Sequence, residues 1–249
     1  MQLYSLTSKK TFPKALQSPL DSPVKNNAGL TLIEGLVAIL IVSAVIVGIT
    51  PMMFLSVATR IQNRRAEQAL QLAHGQIDQI RVLMEQGIND GNIDEVRPQL
   101  PPLAGERNIN DVGPPTGIIN SLMSTNSTCN QLRTLQALEP TDVFPVDVNG
   151  DCEIDFYMQT FRTNEVMARI PGSRNDDEIP LMFRMGVRVY YRNARARVGE
   201  LETEPASLVM TTGEGDQTRH PLASLYTVMS QGDTAQSLEG LRDFLQNSP

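Results

Sequence analysis

The chain has 249 residues, a formal net charge of −7, two cysteines, two histidines and no tryptophan. That acidic balance excludes a general affinity for nucleic acid or other polyanions, which need clustered positive charge to displace counterions. Two cysteines and two histidines far apart in sequence, His74 and His220, supply no zinc-spaced ligand set.

Residues 1–29 carry Lys9, Lys10, Lys14 and Lys25 against Asp21, with Pro13 and Pro23 and no apolar periodicity. They read as a cytoplasmic leader, outside the fold. Positive charge ahead of an apolar run keeps that end inside, so whatever follows the run is delivered beyond the inner membrane. Taking the leader's charge of about +3 off the formal −7 leaves the remainder near −10, again without general affinity for polyanions.

The next stretch, Gly29 to Thr59, organises the chain. From Gly35 to Thr59 there is no charge, and at about 1.5 Å per residue a helix of that run covers the roughly 30 Å hydrocarbon core of a bilayer. Glu34 stands at its apolar edge, where a carboxylate costs on the order of a few kcal/mol and is read by default as a functional group seeking a partner. The bland alternative is a side chain that snorkels to the headgroups.

The order Gly29, Leu30, Thr31, Leu32, Ile33, Glu34, followed at once by an apolar helix, resembles the cleavage and methylation signal of type IV prepilins and type II secretion pseudopilins. The resemblance implies that a prepilin peptidase cuts between Gly29 and Leu30 and N-methylates Leu30. Leucine stands where phenylalanine is commoner, at a position that accepts several large apolar residues. It further implies a filament in which the new amine of one subunit meets Glu34 of another. At about 4 Å and an effective dielectric near 20, such a pair gains on the order of 4 kcal/mol before desolvation, so it selects register more than it adds stability.

Two rival readings use the same stretch. Ser56, Val57 and Ala58 form a small-x-small triplet after which signal peptidase would release a soluble exported binding protein, and an uncleaved signal anchor would hold one. The apolar run is too long, and Glu34 too early, for an ordinary signal peptide.

Beyond the run, Ala66, Ala69, Leu70, Ala73, Ile77, Ile80 and Met84 fall at helical spacing, with Arg64, Arg65, Glu67, Gln71, Asp78, Arg81 and Glu85 opposite. A single rod over 30–87, ended by Gly87, is therefore expected, with a membrane half and an amphipathic half. Gly48 and Pro51 predict a bend or loosening near Ile49 and Thr50. In the resembling family a proline at the matching place marks where helices loosen in filaments.

Residues 88–142 shift toward Pro, Gly, Asn and Asp and read as a loop-rich connection with a short helical turn at Cys129 to Leu138. In pilins this is the variable loop that decorates the filament. The head, 143–249, reads as strands. Val143–Val148 and Cys152–Phe161 flank an Asn149-Gly150 turn, and further strands are expected at Leu181–Tyr191, Ala206–Thr212 and Leu222–Met229. An antiparallel sheet of about four strands, half buried against the rod, follows, with a polar tail after it. The expected class is thus α+β, and by resemblance pilin-like.

Cys129 and Cys152 both fall in the exported part, where a bridge closing the loop between them would contribute roughly 3 kcal/mol. Cys152 as a small apolar strand residue is the other reading. Asp147, Asn149, Asp151 and Asp155 resemble part of a calcium loop, and some pseudopilins bind calcium. Gly150 comes too early and no closing glutamate is present, so a solvated turn is favoured and no metal is assigned. Arg184, Arg188, Arg192, Arg195 and Arg197 form a local basic run suited to DNA or an acidic glycan, against the plainer reading of a solvent-facing strand and turn.

No nucleophile elbow, phosphate loop or dinucleotide fingerprint is present, so neither an enzyme nor a cofactor is expected. The resemblance implies the prepilin peptidase, other pilin subunits, an inner-membrane assembly platform with its ATPase, and the lipid bilayer as partners, with no nucleic acid. The phrases IQNRRAEQALQLAHGQIDQIRVLMEQG and VDVNGDCEIDFYMQTFR are further similar to pseudopilins of hormogonium polysaccharide secretion in filamentous cyanobacteria. That likeness implies exopolysaccharide export and gliding. An adhesive minor pilin, using the arginine run, is the alternative.

Overall fold

The computed structural model describes residues 31–89, 96–105, 108–132, 134–135, 137–169, 178–207 and 215–230. Gly29 and Leu30 lie outside the described residues, as do the tail after Ser230 and all but Ala206 and Ser207 of the strand expected at Ala206–Thr212. Those two residues belong to no strand.

The first element is one helix, α1 (Leu32–Asn89), of 58 residues. The chain divides into two units, residues 1–52 and 53–249. In the first unit α1 leaves its large apolar side chains exposed, from Leu32 through Met52. It is the one helix among the described residues long and apolar enough to cross a membrane. α1 passes through Gly48 and Pro51 as unbroken helix. Pro51 withholds one ladder donor, and beside it the Thr50 hydroxyl bonds the Ile46 carbonyl at 2.6 Å.

In the second unit, α1 buries Ala66, Ala69, Ala73, Ile77, Ile80 and Met84 along one stripe. Leu70, expected on that stripe, is 41% exposed. It follows Ala69 by about 100° around the helix, which carries it off the packed face. The stripe packs on a six-stranded sheet of order β1-β3-β4-β5-β6, with β2 also on β3. The strands are β1 (Gly117–Ile118), β2 (Met123–Ser124), β3 (Asp142–Asp147), β4 (Phe156–Arg169), β5 (Glu178–Tyr191) and β6 (Ala223–Ser230). A short helix, α2 (Gly215–Arg219), precedes β6. The β1 and β2 pairings to β3 are parallel and the rest antiparallel, so the sheet is mixed.

Alternation along the strands sorts the side chains. Phe144, Val146, Phe156, Met158, Phe183, Met185, Val187 and Val189 meet the helix. Much of the other face is covered too, while Tyr226 and Val228 of β6 stay exposed on it. Val143, Tyr157 and Tyr190 pack with Ala194 and Leu201, and Phe161 packs with Ala104, Ile109 and Val112. The expectation of a sheet half buried against the rod alone is therefore corrected: Ala104, Ile109, Val112 and Ile118, with Ala194, Val198 and Leu201, cover part of its second face.

Other differences are local. Among the described residues of Cys129–Leu138 no helix forms; residues 127–129 make a turn instead. β4 runs on past the expected strand end at Phe161 to Arg169, with its register shifting between Thr163 and Val166. The β3–β4 connection spans 148–155 rather than the two residues Asn149 and Gly150.

Candidate functional site

The N-terminal end of α1 is built by Thr31 and Glu34. The Glu34 amide donates to the Thr31 carbonyl at 3.0 Å and lies 3.4 Å from the Thr31 hydroxyl. Thr31 thus stands as the cap and Glu34 three residues on, the arrangement of a capping box. By sequence that threonine is named only in the order of the signal and given no role, although the Thr-x-x-Glu spacing signals a cap. Glu34 is the acidic residue of the first turn, where the helix dipole favours a negative charge. Its local environment therefore offsets part of the cost of an anion beside apolar Leu36, Val37 and Ile39, all exposed.

The second constellation lies at the β3–β4 end of the head. Cys129 and Cys152 are joined by a disulfide, with Cα atoms 5.8 Å apart. Cys152 is not in a strand; it holds φ of +68°, the left-handed region, next to Gly150 at +80°. What holds this turn is Asp147, only 1% exposed. It accepts the Ser124 hydroxyl at 2.6 Å, the Gly150 amide at 2.8 Å and the Cys152 amide at 2.9 Å. Asp155 accepts the Val148 amide, and Asn149 and Asp151 bond each other. The carboxylates of the calcium-like alternation are thus turned to backbone and side-chain donors of their own loop. Among the described residues the one grouping of metal-ligating atoms is Cys129, Asp147 and Cys152, and both of its sulfurs are spent in the disulfide.

Burial pushes the Asp147 carboxyl up, but the hydrogen bonds from Ser124, Cys152, Gly150 and Asn149 outweigh it and hold its pKa below the usual carboxylate value. A group depressed in the folded state contributes stability above its unfolded pKa and loses it as pH falls through the folded one. Thermal melting should therefore drop as pH falls through and below the ordinary carboxylate range. Asp147→Asn, which cannot titrate, should show a shallower acid slope than the native chain. Identical slopes would remove Asp147 from this role.

The arginine run divides. Arg188, placed by sequence in the basic patch, is 0% exposed, and that assignment is corrected. Its Nε donates to the Tyr226 hydroxyl at 2.9 Å, and its Nη1 to the carbonyls of Val112 at 2.9 Å and Gly113 at 3.0 Å and to Gln159 Oε1 at 3.3 Å. Its guanidinium lies 4.8 Å from the Phe161 ring centre. The covering segment thus supplies the polar partners that water would otherwise give. Arg192, Arg195 and Arg197 are exposed on the 3₁₀ turn Arg192–Arg197. Arg197 pairs with Glu200 at 3.2 Å, and Arg195 bonds Tyr157, whose hydroxyl is pushed up by burial and drawn back by that arginine. Of these three, Arg192 alone has no such partner among the described residues; its guanidinium lies 5.8 Å from the Tyr191 ring centre. His74 is exposed, and His220 bonds the Glu204 carbonyl at 2.9 Å; the two share no site.

With this geometry in hand, no protein-family model, curated protein or solved structure matches the chain.

Proposed function

We propose that the chain is a pilin-like structural subunit, cut and methylated at Leu30, held by α1 in the inner membrane and then packed by that helix into a pilus or pseudopilus. The observation that carries this reading is Glu34 in the capped first turn of a helix whose first half is exposed and apolar and whose second half packs a sheet. An exposed stripe of that size needs lipid or other helices around it. A bilayer satisfies it before assembly, and neighbouring subunits satisfy it afterwards. Prepilin peptidase, sister subunits and an assembly platform with its ATPase are the partners this reading requires, and exopolysaccharide is the cargo suggested by the narrower likeness. The adhesive alternative loses one residue of its run with the burial of Arg188, since a buried, hydrogen-bonded guanidinium meets no polyanion.

Glu34→Gln is the decisive variant. It keeps the side-chain shape and removes the charge, so membrane insertion and head folding should be unchanged while incorporation beside native subunits falls at least about tenfold, the effect of 1.4 kcal/mol of lost pairing. Mass spectrometry of the mature N-terminus supplies the second arm. N-methyl-Leu30 is expected, and a chain beginning at Thr59 would end the proposal.

A further inference from the structure

The end of the head beside α1 carries a cleft that the assembly reading leaves unused. It measures about 290 Å³ and is lined by Arg65 and Gln68 of α1, Asn149 and Asp155 of the β3–β4 loop, and Tyr191 and Arg192 at the end of β5, among others. Tyr191 lines it between two cations. The Arg65 guanidinium lies 4.3 Å from that ring's centre and the Arg192 guanidinium 5.8 Å. Stacking parks both cations without discharging them. Neither is paired with a carboxylate among the described residues. The one acid in the wall, Asp155, already accepts the Val148 amide at 3.0 Å.

Position along α1 says where the ligand comes from. Met53, Phe54, Leu55 and Val57 are exposed and apolar, the uncharged run ends at Thr59, and Arg60, Arg64 and Arg65 follow before the first acid, Glu67. Arg65 stands about 9 Å along the axis from Thr59. The headgroup layer is roughly 5–8 Å deep on each side of the hydrocarbon, and helical side chains lean toward the N-terminus, here back toward the lipid. Cations on the exported flank also work against the orientation set by the leader's lysines. Their presence there suits a use at that surface.

We infer that the cleft between Arg65, Tyr191 and Arg192 binds the phosphodiester of an anionic phospholipid of the outer leaflet. A phosphodiester offers two acceptor oxygens to two guanidinia, with the Gln68 and Asn149 amides as further donors. A hydroxylated headgroup suits the remaining acceptor capacity of Asp155, whereas a choline headgroup would set a cation against the arginines. The inference rests on α1 lying in a bilayer and not on filament assembly.

The test uses the full chain in nanodiscs of equimolar phosphatidylglycerol and phosphatidylcholine, with lipids retained after mild release counted by native mass spectrometry. Phosphatidylglycerol should be enriched roughly fivefold for each arginine engaged. Arg65→Gln with Arg192→Gln should abolish the enrichment at an unchanged melting temperature. Arg60→Gln with Arg64→Gln, which removes equal charge outside the cleft, should keep it. Loss in both pairs, or enrichment surviving in the first, overturns the site. So does displacement of the lipid by millimolar inorganic phosphate, which would mark the ligand as a free anion. A chain that self-associates through Arg65 and Arg192 without lipid enrichment would give the cleft to a protein carboxylate instead. A chain that does not enter the nanodisc fails earlier, at the membrane reading; an unimpaired Glu34→Gln, which would end the assembly reading, leaves the cleft untouched.

Discussion

Replacing Arg188 by methionine is expected to destabilise the head by about 3 kcal/mol and to loosen segment 108–119 from the sheet. Removing a buried charge is not always harmful, because its desolvation cost is recovered, and exchanging a whole buried ion pair for apolar groups is often neutral. Here the partners stay behind. The Val112 and Gly113 carbonyls, Gln159 Oε1 and the Tyr226 hydroxyl all accept from this guanidinium. Methionine satisfies none of them; the Gly113 carbonyl keeps the Gln159 Nε2 donor at 3.1 Å and Tyr226 is 40% exposed, but the Val112 carbonyl and Gln159 Oε1 lose a donor, at about 1–3 kcal/mol each. Arg188 Nη2 has no partner among the described residues, so part of the desolvation cost is already uncompensated, which keeps the net loss at the lower end of that sum. A loss of about 3 kcal/mol in a unit of this size lowers the melting temperature by about 9 °C. Amide exchange should rise most at 108–119, and less in β4 and β5. A melting temperature that holds or rises would show that the charge costs more than its partners return.

Arg188 also explains which parts of the fold were legible. In β5, Phe183, Met185, Val187 and Val189 alternate with Arg184, Gly186 and Arg188, and that period of two predicts strand, face and register. It does not say whether a polar side chain meets water or a backbone carbonyl. The cover over this face comes from a segment rich in Pro, Gly and Asn, which offers carbonyls as well as Ala104, Ile109 and Val112. Such a segment has no periodicity to announce that it is packed, so it reads as a decorating loop. β1 and β2 are two residues each, too short for any pattern to register. The amphipathic half of α1 was readable because one stripe recurs over five turns. Asn149-Gly150 misled for a specific reason: the pair marks positive φ, and Gly150 has it, but Asp147 and the disulfide gather the chain into a longer loop. Of the candidate site, Glu34 was visible as a charge out of place. The cleft at Tyr191 was not, because Arg65 and Arg192 are 127 positions apart in sequence and meet only through the sheet.

Gly186→Ala should cost about 2–3 kcal/mol and Gly186→Val more, although alanine and valine are both better strand residues than glycine. Gly186 pairs directly across from Phe161. A methyl group built there would lie within 2.6 Å of the Phe161 ring, with Tyr226 at 3.1 Å on the other side. The ring has taken the space over the glycine, and it cannot yield freely. Phe161 is 0% exposed, held by Ala104, Ile109 and Val112 and stacked under Arg188. Displacing it would move the cation that fixes the covering segment, so the strain spreads through the same contacts as loss of Arg188. The origin of the effect can be isolated by a double-mutant cycle. Phe161→Leu alone should cost roughly 1–2 kcal/mol by leaving a cavity. Placed in the Gly186→Ala background it should cost less, or restore stability, because the leucine gives up the volume that the methyl needs. A coupling of about 1 kcal/mol or more is expected from residues in contact. Strictly additive losses would mean that the glycine is kept for its backbone and not for the ring above it.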